Sequence, residues 1–161
     1  MAAVGIAFPL LGASPAAAHV SGYDSVVNNK IDYQDNTAFD DVRNWARDQW
    51  ENSGDVDIQL DGSLTKIDVE FYDTDKSWVN WAGIYYYEPG DDDIVFNRHY
   101  MDGYTTVKRR FVAMHELGHA LGLAHSWAGQ IMQESVLENA PDDPPNYVQP
   151  HDQASYDSLW G

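Results

Sequence analysis

The sequence predicts an α+β fold on a mixed sheet. Three observations lead there. Short runs of alternating apolar and polar residues recur between positions 30 and 96, the period of a half-buried strand. Two longer stretches, one around residues 37–51 and one around 105–122, carry apolar residues at helical spacing. The resulting order is strand, helix, three to four strands, helix, which suits a mixed sheet covered by helices rather than strictly alternating βαβ units.

Each element has its own signal. Lys30 to Asp35 alternates through Ile31 and Tyr33 and reads as a strand. Asn36 or Thr37 can cap the next helix, with Asp40 and Asp41 in a first turn whose dipole favours acid. Phe39, Val42, Ala46 and Trp50 supply its apolar face, and Asn52-Ser53-Gly54 ends it. Val56, Ile58 and Leu60 alternate before a turn at Asp61-Gly62, and Ile67, Val69 and Phe71 form a third strand. Trp81 to Tyr87 is a fourth, aromatic strand. Pro89-Gly90 and Asp91 to Asp93 turn the chain into a short fifth, Ile94 to Phe96. Thr105 or Thr106 opens a helix that passes Phe111, Met114 and His119 and reaches Gly122. Ala140 to Pro150 holds four prolines and reads as an extended loop.

Composition narrows the function. The chain has 161 residues, 43% of them hydrophobic, enough for one domain with a sizeable core. Six Trp and ten Tyr supply much of that core and some substrate-facing surface. The formal net charge is −17, so nucleic acid and anionic membrane surfaces repel it; no nucleic-acid partner and no stable membrane association are expected, and a monomer is. Three readings of the acidity compete: a solvated surface, calcium held by Asp-rich loops such as Asp73-Thr74-Asp75 or Asp91-Asp92-Asp93, or adaptation to high salt. There are no cysteines, hence no disulfides. Residues 1–18 resemble a secretion signal: an apolar run from Ala2 to Leu11, a break from Gly12 to Pro15, then Ala16-Ala17-Ala18 as a small-residue cleavage site, though no Lys or Arg precedes the run. Cleavage after Ala18 leaves residues 19–161 as a secreted, extracellular catalytic domain.

The most specific signal is the string from His115 to His125, HELGHALGLAH. Two histidines four residues apart lie on one helix face, so His115 and His119 can reach one metal ion. Glu116, next to the first ligand, can sit beside a water at the metal. Gly122 can stop the helix in a left-handed turn, after which the chain reverses and His125 can supply a third nitrogen. Three protein ligands leave the fourth tetrahedral position open, which marks a catalytic rather than a structural zinc. Imidazoles bind metal as neutral rings, so activity should fall in mild acid. His19, His99 and His151 are scattered without the spacing of a second site and read as solvated or core-bonded.

This string resembles the metzincin zinc metalloproteases, and its matrixin branch most of all. The resemblance implies a zincin fold with a twisted sheet, two long helices and a small C-terminal subdomain. Asp152 to Gly161 looks like the closing helix of that subdomain. In the family a methionine turn lies beneath the zinc; Met132, in Gly129-Gln130-Ile131-Met132, fits that apolar floor and also reads as ordinary core filler. Substrate in the family pairs with an antiparallel edge strand. Ala82, Gly83, Ile84 and Tyr85 resemble that strand, their small residues admitting a peptide backbone; the same run also reads as a plain core strand. Matrixins usually follow the methionine with a Pro-x-Tyr wall, whereas here Gln133-Glu134-Ser135 follows, so the specificity pocket must be built differently. Glu134 also occupies the place where some other metzincins carry a tyrosine ligand, and a carboxylate there disfavours acidic substrates. Many matrixins are kept latent by a propeptide cysteine; no cysteine serves here.

The resulting expectation is a secreted zinc endopeptidase acting on protein or peptide substrates. His115, His119 and His125 are its ligands, Glu116 its general base, and calcium an additional structural ion. The alternatives are a zinc-retaining peptide-binding module and a hydrolase of a non-peptide amide.

Overall fold

The alternating run at Lys30–Asn36 forms β1, with Ile31 and Tyr33 buried in the core. The structure is a computed structural model that describes residues 18–62, 66–134 and 142–161. The expected secretion segment lies outside these residues except for Ala18, as does Ser135. The remaining strands are β2 (Asp57–Leu60), β3 (Val69–Thr74), β4 (Gly83–Tyr86) and β5 (Asp92–Asn97). They form one five-stranded sheet in the order β2-β1-β3-β5-β4. The first three pairings are parallel and β4 runs antiparallel to β5, so the sheet is mixed, as expected. Two sequence expectations shrink at its edges. The fourth strand pairs only from Gly83 to Tyr86, and Leu60 is 58% exposed because β2 is an edge strand that ends there.

Helix α1 (Asp40–Glu51) begins later than the sequence suggests. Neither Asn36 nor Thr37 caps it: Asn36 still belongs to β1, paired with Tyr72, and Phe39 occupies the cap position without a side-chain bond. Thr37 instead donates its hydroxyl to Asp73 and accepts from the Phe39 N–H, shaping the link between strand and helix. Strand pairing outcompetes local capping here because it satisfies several backbone groups at once.

A four-residue turn of helix, α2 (Arg98–Met101), leads into α3 (Thr106–Ala120), which packs along α1 and crosses β4 and β5. Trp50 on α1 is fully buried and donates its indole N–H to the Met114 carbonyl on α3 at 2.9 Å. The last helix, α4 (Pro150–Trp160), opens with proline at a first-turn position, where the missing N–H costs nothing. It closes the lower part of the molecule by laying Tyr156 on Trp50, ring centroids 6.0 Å apart, with the Tyr156 hydroxyl accepting the Val56 N–H at 3.0 Å. Among the described residues no helix is long and apolar enough to cross a membrane.

Candidate metal centre

Helix α3 starts at Thr105, whose side chain accepts the Lys108 N–H, as an N-cap should. It stops at Ala120 in a complete Schellman turn. The Leu123 N–H bonds the Gly118 carbonyl at 3.0 Å, the Gly122 N–H bonds the His119 carbonyl at 2.9 Å, and Gly122 takes φ +87°. This turn aims the Leu123 carbonyl back at His119, whose Nδ1–H donates to it at 2.8 Å. His115 does the same to the Ile131 carbonyl at 2.8 Å. Both rings are thereby held in the tautomer that leaves Nε2 bare, the form a metal requires.

Those two Nε2 atoms lie 3.1 Å apart, and ligand atoms from His115, His119 and His125 all fall within 4.8 Å of one another. Two nitrogens on one tetrahedral zinc, each about 2.0–2.1 Å from the ion, sit roughly 3.3 Å apart, so the spacing and the imidazole donor set fit zinc. Among the described residues this is the one group of His, Asp and Glu side chains able to hold a metal. The acidic clusters do not converge in that way. Asp73 accepts from Thr37 and from the Ala38 N–H. Asp92 turns inward to Ser25 and Tyr85, while Asp93, on the other face of β5, accepts from Tyr72.

Burial sets the charge state of the site. Desolvation pushes His119 down to about 4, and His115, crowded also by the neighbouring rings, well below 6.5. Both rings therefore stay neutral at pH values where a free imidazole would be protonated. Burial pushes the Glu116 carboxyl the other way, up to about 8, with the Tyr85 main-chain N–H acting as a partial counterweight.

Gly83, Ile84 and Tyr85 line the same cavity, of about 200 Å³, as His115, Glu116, His119 and His125. A Cβ on Gly83 would stand 2.6 Å from Val112 Cγ1 and 2.9 Å from Glu116 Cγ, so glycine is what lets β4 press against α3. Ala82 is not among the cavity residues: it lies one residue before β4, fully buried, its carbonyl accepting the Asn97 N–H.

The methionine segment folds under the site. The Ser126 N–H bonds the Met132 carbonyl at 2.5 Å, and the buried Met132 side chain rests on Gly118 of α3. Two residues that sequence reasoning missed hold this loop. Asp152, fully buried on α4, accepts from the Ile131 N–H at 2.6 Å, the Met132 N–H at 3.4 Å and the Ser126 hydroxyl at 2.9 Å. The carbonyl of the same Ile131 receives His115, so Asp152 reaches the first ligand through one peptide unit. His19 bonds the His125 carbonyl through its ring Nδ1 at 2.7 Å, and its own carbonyl accepts the Ala124 N–H. His151 is buried face-on against Trp127, ring centroids 4.0 Å apart, while His99 is exposed on α2.

A family model described as matrixin matches residues 18–161. The chain belongs to the matrixin family. It is a zinc metallopeptidase in that sense. No curated protein matches it. Solved structures share its fold. The GM1-bound form of the ECX AB5 holotoxin has a TM-score of 0.60 at 17% identity, with 89% of this chain and 86% of that one covered. Myroilysin has a TM-score of 0.60 at 13% identity, covering 89% and 88%. Archaemetzincin from Archaeoglobus fulgidus, complexed with malonate, has a TM-score of 0.50 at 16% identity, covering 78% and 99%. Identities this low speak to the fold alone.

In this matrixin the contact between Met132 and Gly118 yields a direct prediction. A Cβ at position 118 would stand 2.3 Å from Met132 Sδ and 3.1 Å from Trp50 Cζ2. Alanine gains about 1 kcal/mol of helix propensity over glycine, but overpacking a tight core costs about 1–3 kcal/mol. Trp50 and Met132 are both buried, so making room at position 118 means repacking the core, and the steric term should win. Gly118→Ala is expected to lower stability by about 1 kcal/mol in urea unfolding. A more stable variant would show that Met132 is free to move aside.

Proposed function

We propose that this matrixin is a secreted endopeptidase in which His115, His119 and His125 hold zinc and Glu116 is the general base. The observation that carries the reading is the placement of Glu116. Its carboxyl is buried in the cavity that the three imidazoles share, beneath a sheet edge. When bound, zinc supplies Lewis acidity, lowering the pKa of coordinated water and polarising the scissile carbonyl. Glu116 takes the proton from the attacking water and delivers it to the departing amine. The His115 and His119 rings stay neutral and are fixed by the Ile131 and Leu123 carbonyls. β4 is the last strand of the sheet, so its outer main-chain groups are open to an extended peptide, which would add to the sheet as one more strand. Pairing with backbone rather than with a particular side chain suits an enzyme that cuts within unfolded protein. Met132 serves as the floor. The secretion proposal rests on the apolar run and the small residues that end at Ala18.

The test is expression of the full chain in a secreting host. The medium is expected to contain a zinc-loaded protein that begins at His19 and cleaves an unfolded protein at internal bonds. A folded, zinc-loaded product that cuts simple non-peptide amides but no peptide would overturn the endopeptidase reading. Retention of the chain inside the cell would overturn secretion.

A further inference from the structure

Around the metal centre runs a closed ring of contacts that the ligand set does not explain. Ser25 donates its backbone N–H to the Ala120 carbonyl at 2.8 Å, at the C-terminal end of α3 and one residue after the ligand His119. Its hydroxyl donates to Asp92 Oδ2 on β5 at 2.6 Å. The Tyr85 hydroxyl, on β4, donates to the same Oδ2 at 2.9 Å and lies 3.1 Å from Ser25 Oγ. The other oxygen of Asp92 accepts the Glu88 N–H at 2.9 Å, so this buried carboxylate is tied at both ends. From Tyr85 the ring of contacts closes onto α3 twice. The aromatic face is stacked on the His119 imidazole, centroids 6.5 Å apart and planes 22° apart, and the main-chain N–H of the same residue faces the Glu116 carboxyl.

We propose that Tyr85 is a positioning residue, anchored by Ser25 and Asp92, that sets both the ring plane of His119 and the distance of Glu116 from the metal centre. The inference rests on the reading of those two residues given above. The physical reason is the lever. β4 is an edge strand held to the sheet on one side only, and the hydroxyl anchor adds a polar tie at Tyr85 to the pairing with β5 and the packing of Gly83 on α3. Groups that hold a ligand or a base from one contact away commonly carry a 10–100-fold effect on activity or metal affinity. A partly buried polar network can also be worth more than its bonds counted singly, because each member stabilises the geometry of the next.

The test compares Tyr85→Phe, Asp92→Asn and the double variant with the parent, each loaded with zinc for kinetics and with cobalt(II) for visible spectroscopy. Phenylalanine keeps the ring beside His119 and removes only the anchor; asparagine keeps the shape of Asp92. Each single variant is expected to lower kcat about tenfold with little change in KM, and to shift the cobalt d–d bands while retaining one metal per chain. The double variant should be no worse than either single, since both cut the same link. Unchanged kcat and spectrum in Tyr85→Phe, or losses that multiply in the double variant, would overturn the proposal. So would losses that vanish once each protein is assayed well below its own melting temperature. If the parent cuts no peptide, the endopeptidase reading fails, and the cobalt spectrum still decides whether Tyr85 sets the plane of His119.

Discussion

Replacing Glu116 with Gln leaves the zinc in place and lowers kcat by about 10²–10⁴-fold, the range in which a positioned general base contributes. Glutamine fills the same volume in the cavity and still offers an oxygen to the Tyr85 N–H, so the fold and the three imidazoles should be undisturbed. What it lacks is the capacity to take a proton from water. KM should change little, because that transfer belongs to the transition state rather than to binding. Metal content by atomic absorption and kcat on an unfolded protein or quenched peptide decide the matter. Wild-type kcat in a zinc-loaded Glu116→Gln protein would remove Glu116 from the role of base.

Removing the zinc is expected to abolish cleavage and, where free zinc had stood about 1,000-fold above its Kd, to cost about 4 kcal/mol, a fall of roughly 8–16 °C in Tm for a domain of this size. The pH dependence of the zinc-free protein is more diagnostic than the fall itself. Glu116 in the folded protein keeps its proton up to about pH 8, against 4.5 for an ordinary glutamate. The folded state thus holds a proton that the unfolded chain has lost, and stability declines as pH rises through that window. The histidines work in the opposite sense. His119 is pushed down to about 4 from 6.5, so below 6.5 the unfolded chain takes up the proton first and stability declines as pH falls. As far as these groups decide it, the zinc-free protein should be most stable near pH 6.5 and lose about 2 kcal/mol by pH 8. Zinc should cancel the alkaline loss, since its charge favours the carboxylate. By the same linkage, zinc binding at pH 7 should release about one proton from Glu116, and none from His115 or His119, which are already neutral. Calorimetry in buffers of different ionisation enthalpy measures that proton. Glu116→Gln should release none and should show no alkaline decline; an unchanged proton count in that variant would contradict the assignment.

Much of the site was legible before any coordinates. His115 and His119 follow from the helical period alone, and Gly122 does adopt the left-handed turn that its place after the helix suggests. The five strands and two long helices follow from apolar alternation and spacing. Errors gathered where a distant partner competes with a local signal. Thr37 looks like a helix cap, yet β1 pairing and Asp73 claim its neighbourhood. Ala82 looks like part of the substrate edge, yet pairing starts one residue later and its side chain is core. Local sequence presents His119 as an ordinary imidazole, whereas burial moves it down to about 4.

The sequence by itself determined that His115 and His119 share one helix face, that His125 follows the glycine turn close behind them, and the strand and helix content. These are consequences of residue type and of spacings no longer than a few turns of chain, which act over covalent distances. Tertiary structure alone decided what surrounds the donors: Asp152 reaching Ile131 across 21 positions, His19 reaching His125 across 106, Gly83 admitting β4 to Val112 and Glu116, and Tyr85 linking Asp92 to His119. Desolvation is the reason. The charge carried by Glu116 or His119 depends on how much water the whole fold removes from it, and no local pattern encodes that quantity.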